Sequence, residues 1–362
     1  MSRQAGVAEA GRRLAQPLVH VSHLDQAMGG RLGIHVAAPP AEEPAAEVLA
    51  RLVARRIRSW AQLLSRFETS SQLTAVNDDR RTLVPLRPTI AEMIEWAAEA
   101  SWLTGGIVDI TLLDERLAAE EATPGNAGGA GGGDTVAGGD APGGPQDPGD
   151  TEHGFARTRR RSAPRWRLED MGHRLPGSAM ARSTMLLRRP GVRFDLDGVA
   201  KGWIADRALG LLRGAAGALV DADGDLSIRV APGDSWEISV EDPRDRSMDL
   251  AVFRLEAPRP GIPARFGLAT SGVTVHRWGR DEEARHHLID PRTGQPASTD
   301  VVQATVLAGT AREAEAFAKT AVILGTAAGL AYLDRIGALG AVVLTTRGES
   351  FALPQTSLWL AA

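Results

Sequence analysis

The chain has 362 residues, 43% of them hydrophobic and 24% charged, with a formal net charge of −4 at pH 7. That length suggests about two domains and room for a sizeable core, and the slight acidic balance argues against a protein built to bind nucleic acid, which carries a basic excess. Cysteine is absent, which excludes a disulfide framework, a thiolate nucleophile and a cysteine-based zinc site.

The opening stretch, MSRQAGVAEAGRRLAQPLVHVSHLD, holds arginines but no apolar core followed by a small-residue cleavage site. Residues 1–20 therefore read as a flexible leader, neither a signal peptide nor a lipoprotein anchor. No uninterrupted apolar run reaches the roughly 18 residues of a membrane span, so a cytoplasmic location is expected. After the break at PPAEEP, the segment AAEVLARLVARRIRSWAQLLSRF has apolar residues at helical spacing, predicting an amphipathic helix over 45–64 with its arginines on a solvated face. PTIAEMIEWAAEASWL predicts a second helix over 88–103, stopped by Gly105 and Gly106.

From 123 to 151 the composition is Gly, Ala, Asp and Pro with almost nothing to bury, and a basic patch, ARTRRRSAPR, follows. Such a tract cannot offset its ordering entropy, so a disordered insertion is expected over about 120–163. Beyond it, WRLED, MLLRR, VRFDLD, GALVDADGDLSIRV and WEISVED read as short strands broken by turn residues. Helical patterns interrupt them over 200–212 and 311–324, and the tail GALGAVVLTTRGESFALP reads as a hairpin. Strands and helices without regular βαβ alternation point to an α+β fold.

Three stretches can carry chemistry. In FDLDGVAKGWIADRA, a strand ends at Asp197–Gly198 and a helix begins, so unpaired backbone N–H groups, a helix dipole and Lys201 converge where an anion would be welcome. The P-loop spacing is not met, and the same residues read equally well as a tight turn with a solvated lysine. In GLATSGVTVHRWGRDEEARHHLIDPRTGQPAST, Thr270, Ser271 and Gly272 form an expected polar turn suited to phosphate or ribose oxygens. His286 and His287 precede a strand, and adjacent strand residues face opposite ways, so at most one of them can serve a given site. Asp290 to Gly294 reads as a turn held by its own side chains. In AREAEAFAKTAVILG, Glu315 and Lys319 lie four apart on one side of a helix, where an ordinary surface ion pair is the plainest expectation.

Taken in order, these pieces resemble the ApbE family of FAD:protein FMN transferases. SRFETSSQLTAVN is similar to that family's aromatic-acid, Ser-x-Leu, Asn segment, TGGIVDITLL to its TGG-x-FDPT segment, FDLDGVAKGW to DLGGIAKG, and ALVDADGDLSI to the NAGGDL hairpin. LATSG, HHLIDPRTGQP and AEAFAKTAVILG are similar to its TSG, HIIDPRTGxP and ADALATALFVLG segments. The likeness runs from about residue 22 to the C-terminus, and the Gly-rich tract falls inside it. It therefore implies one domain over 21–362, an ApbE/T-fold-like α+β architecture with a mainly antiparallel sheet and flanking helices.

The resemblance further implies FAD as substrate, bound by Glu68, Ser71, Asn77, Asp109, Lys201, Thr270, Ser271, Gly272 and His287, with His287 and Lys201 catalytic. It implies transfer of FMN to a Thr or Ser hydroxyl of a flavoprotein or redox partner, with AMP leaving. It also implies a magnesium ion held by the Gly198 carbonyl and two side chains of the last matching helix. Here those side chains are Glu315, which can still ligate, and Lys319, which cannot while protonated, so a weakened magnesium dependence is expected. The family's Asn-Ala-Gly-Gly hairpin becomes Asp221-Ala222-Asp223-Gly224. Two other readings stay open: an FAD pyrophosphatase yielding FMN and AMP, and a non-catalytic FAD-binding protein with a degenerate metal site.

Overall fold

The computed structural model describes residues 17–121, 165–173, 181–257, 264–274, 277–278 and 285–361. Most of the expected leader and all but the first residues of the expected insertion lie outside them. The chain opens on a hairpin of β1 (Val19–Ala27) and β2 (Gly30–Ala38) that the sequence patterns did not announce. The helix α1 (Glu43–Leu64) follows, and its buried Ala46, Ala50, Val53, Ile57, Trp60 and Leu64 repeat at helical spacing and face the hairpin.

A short helix α2 (Gln72–Asp78) leads through β3 (Leu83–Pro85) to α3 (Pro88–Leu103), whose ends are as predicted. The helix α4 (Leu113–Glu121) occupies the first residues of the expected insertion. Past it, β4 (Trp166–His173) and β5 (Ala181–Arg188) form a three-stranded sheet with β3, in the order β3-β5-β4.

The helix α5 (Ala200–Leu211) precedes a hairpin of β6 (Gly217–Ala222) and β7 (Asp225–Val230), and a long ribbon of β8 (Ser235–Asp242) and β9 (Asp245–Glu256) comes next. After β10 (Ala264–Gly272) come four two-residue strands: β11 (Arg277–Trp278) pairs with β12 (Arg285–His286), and β13 (Ile289–Asp290) with β14 (Gln295–Pro296). The chain ends in β15 (Val301–Ala308), α6 (Ala311–Leu324), α7 (Thr326–Ile336), β16 (Gly340–Thr345) and β17 (Ser350–Ala352). The last two strands make the expected C-terminal hairpin.

The main sheet has eight strands in the order β1-β2-β6-β7-β10-β15-β16-β17, every neighbouring pair antiparallel. The architecture is therefore α+β, a mainly antiparallel sheet with flanking helices. Side chains alternate across it. In β6, Ala218 and Val220 join the large core beneath α1, α3, α5 and α6, while Leu219 joins a second core under the β8–β9 ribbon.

Two expectations are corrected. VRFDLD forms no ladder: residues 192–196 run without secondary structure, held by Asn77, which donates to and accepts from the Phe194 backbone, and by the Asp195 N–H on the Ile110 carbonyl. Thr270, Ser271 and Gly272 are not a turn but the last rungs of β10, opposite Thr305, Ala304 and Gln303.

Candidate active site

One small cavity gathers side chains from segments far apart in the chain. Asp109, Arg116, Asp195, Gly198, His287 and Lys319 line it, with Ile107, Val108, Ile110, Leu112 and Leu288 supplying an apolar wall. Its volume of about 50 Å³ has room for a water or two but falls far short of a cleft enclosing a drug-sized ligand. It can take one charged group, with the rest of a larger ligand outside.

Asp109 sits in the loop between α3 and α4. Its Oδ1 accepts from the Thr111 N–H and hydroxyl, each at 2.8 Å, fixing the carboxylate at the start of α4. No hydrogen bond among the described residues engages its Oδ2. On α4, buried Arg116 sends one guanidinium nitrogen to both Asp195 (2.8 Å) and Asp197 (2.6 Å). Burial opposes charge on Arg116, but the two carboxylates outweigh it and hold the guanidinium protonated beyond the usual range. Burial likewise opposes ionisation of Asp197, and Arg116 and Lys319 overcome it, keeping the group a carboxylate. Arg116, Asp195 and Asp197 were not among the site residues foreseen.

The histidine pair divides its labour, with His286 ending β12 and His287 in the bend beyond it. The His286 Nε2 lies 2.8 Å from the Ala297 carbonyl, which ties it to its own loop, while His287 lines the cavity. The turn beyond is closed by Asp290, which accepts from the Arg292 backbone and guanidinium.

Lys201 lies in the first turn of α5, as read from the sequence, but it is neither solvated nor turned to the cavity. Its Nζ meets Asp223 Oδ2 at 2.8 Å, at the tip of the β6–β7 hairpin. There Asp223 and Gly224 both take positive φ (59° and 91°), the pattern of a tight type I′ turn. Burial works against the ammonium, and Asp225 and Asp223 more than compensate, raising its pKa. Direct contact with an anion would require Lys201 to leave these partners.

Glu315 and Lys319 are no surface pair. Glu315 is 4% exposed and accepts from the Gly202 N–H at 2.9 Å; burial pushes its pKa up to about 7, against the pull of Lys319 and that N–H. Neighbouring Asp225 is raised in the same sense by burial and by Glu315. Lys319 runs back along Gly198, so that a Cβ on that glycine would stand 1.2 Å from its Nζ. Its ammonium is disfavoured by burial and supported by Glu315, Asp197 and Asp195.

The remaining foreseen residues hold structure. Ser71 caps α2 through the Thr74 N–H, both ends of the Asn77 amide are spent on Phe194, and Glu68 is exposed, with its carbonyl accepting from Ser71 and Thr74. The Thr270 hydroxyl pairs with that of Thr305 across the β10–β15 ladder at 2.8 Å.

The donor set does not fit a magnesium ion, which asks for an octahedron of oxygens. An ammonium lies over Gly198 where a ligand was expected, and Glu315 is committed to a backbone N–H. No group of three His, Asp or Glu suited to a metal occurs among the described residues.

The ApbE family model matches residues 28–343, and the chain belongs to the ApbE family. The chain is 31% identical over 167 residues to the FAD:protein FMN transferase of Salmonella typhimurium, 45% of this chain and 45% of that one. It is 31% identical over 161 residues to that of Treponema pallidum, 41% of this chain and 42% of that one. The match thus spans less than half the length of each of these two relatives. Among solved structures it is similar to the flavinyl transferase ApbE of Pseudomonas stutzeri (TM-score 0.68, 20% identity, covering 95% of this chain and 98% of that one). It is likewise similar to the flavin transferase ApbE of Vibrio cholerae (TM-score 0.65, 19% identity, covering 95% and 100%). At those identities the likeness establishes the fold. No helix among the described residues is long and apolar enough to cross a membrane.

Proposed function

We propose that this protein is an FAD:protein FMN transferase, which moves the FMN moiety of FAD to a Thr or Ser hydroxyl of a flavoprotein or redox partner and releases AMP. The observation that carries this reading is the convergence of Asp109, Gly198, His287 and Lys319, from four separate family segments, on one cavity sized for a charged group. The diphosphate of FAD is that group, and flavin and adenosine extend outside it.

In the transfer, the acceptor oxygen bonds to the phosphorus on the FMN side. The bond from that phosphorus to the bridging oxygen breaks, and the bridging oxygen departs on AMP. His287, at the cavity wall, takes the hydroxyl proton. Asp109, held rigid by Thr111, orients the reacting end through its Oδ2. Phosphoryl transfer makes little demand for a covalent intermediate and much for positioning and charge, which suits a site of fixed side chains. Lys201 acts through the β6–β7 hairpin that it pins.

Incubation with FAD and a Thr-containing acceptor peptide should add the mass of the FMN phosphoryl group to the peptide and release an equal amount of AMP. His287→Ala should lower that rate by about 10²–10⁴-fold with little change in FAD affinity. Free FMN plus AMP without peptide labelling would replace transfer by FAD pyrophosphatase activity, and FAD binding with neither product would leave a non-catalytic flavin binder.

A further inference from the structure

We propose that the ammonium of Lys319 is a built-in cation of this site, taking the place of a divalent metal and contacting the diphosphate of FAD directly. The proposal rests on the FAD reading above and adds to it how the ligand's charge is met.

The first support is steric. Gly198 has no side chain, and Lys319 uses the vacancy: a Cβ there would come within 1.2 Å of Nζ, 2.5 Å of Cε and 3.3 Å of Cδ. The ammonium thus lies against the turn that opens α5, in the wall that also carries Asp109 and His287. A cation in front of the Gly198 backbone would have to displace it.

The second support is which charges are already answered. Of the acids that support the Lys319 ammonium, Glu315 accepts from the Gly202 N–H, and Asp195 and Asp197 are both taken by Arg116 at 2.8 and 2.6 Å. Lys201 is likewise taken, by Asp223 at 2.8 Å. Among the described residues no hydrogen bond or ion pair within 4 Å engages the Lys319 ammonium, so its N–H donors remain for a ligand.

The third support lies in the sequence. Of the 41 lysines and arginines in the chain, all but Lys201 and Lys319 are arginine. Of these two, Lys319 alone lines the cavity. An ammonium is a compact point charge that fits beside a glycine, and a planar guanidinium is not.

The test is calorimetric titration of FAD into the intact chain, once in EDTA and once in excess magnesium. The expected result is equal affinity in both for the wild type. Lys319→Met should bind FAD about tenfold or more weakly in EDTA, the worth of a charge-assisted hydrogen bond, and magnesium should not restore it. Lys319→Asp, which adds a carboxylate oxygen, should become dependent on magnesium and should bind Mn²⁺ by electron paramagnetic resonance where the wild type does not. Tight binding by the wild type only in magnesium would overturn the inference and leave the FAD reading standing, and that comparison requires no variant. Unchanged affinity in a folded Lys319→Met protein would overturn it too. No FAD binding under either condition would instead remove the FAD reading itself.

Discussion

Two glycines four residues apart make opposite demands. The nearest atoms to a Cβ at Gly198 would be the far end of Lys319, whereas one at Gly202 would meet the Ala311 carbonyl oxygen at 2.6 Å and the Arg312 Cα at 2.8 Å. A flexible side chain can swing aside; the backbone at the start of α6 cannot without separating α5 from α6. Gly198→Ala should therefore leave stability within about 1 kcal/mol while weakening FAD binding, because the ammonium is pushed off its seat. Gly202→Ala should destabilise by about 1–3 kcal/mol, even after its small gain in helix propensity. Urea denaturation of both variants, set beside FAD titration, separates the two effects. Equal loss of stability in both would mean that Lys319 is as rigid as the backbone.

At the level of elements, the start of α6 shows what a single sequence reveals and what it hides. Its bounds followed from helical spacing, and Thr310, which accepts from the Glu313 N–H, is a recognisable N-cap. The stronger cap is remote: Asp206 of α5 accepts from the Ala311 N–H through Oδ1 and from the Arg312 N–H through Oδ2, each at 3.1 Å, and from Ser227 at 2.6 Å. Asp206→Ala should cost about 2 kcal/mol in urea denaturation; a change under half of that would mean that Thr310 suffices. Periodicity recovers α1, α3, α5 and α6, which carry amphipathic stripes. It fails for VRFDLD, whose alternation mimics a strand while Asn77 supplies the partner that a ladder would. It fails also for α7, because Gly325 reads as the end of a helix and is at once the cap of the next. At the site, the sequence segments found Asp109, His287 and Lys319, since each sits in a distinctive short motif. Arg116 was invisible, because its role depends on α4 folding onto residues 195 and 197, and no local pattern reports that. Likewise only the fold reveals that Lys201 spends its charge on the hairpin tip.

Across the whole molecule, the region where α5, α6 and the β6–β7 hairpin meet concentrates ionisable groups that a core would ordinarily exclude. Glu315 and Asp225 are buried (4% and 6% exposed), and burial raises both. An acid whose pKa rises on folding, from 4.5 to about 7 for Glu315, holds its proton in the folded chain over a range where the unfolded chain has lost it. Stability then falls as pH climbs through that window and levels off above it. Lys319, which burial lowers from 10.5, acts in the other sense. Glu315→Gln keeps an acceptor for the Gly202 N–H and removes the titration. Relative to the wild type it should gain about 1–3 kcal/mol between roughly pH 5 and pH 8, read as a widening difference in urea midpoints. Parallel pH profiles for the two proteins would show that Glu315 stays ionised in the fold, with the Lys319 charge close enough to hold it so.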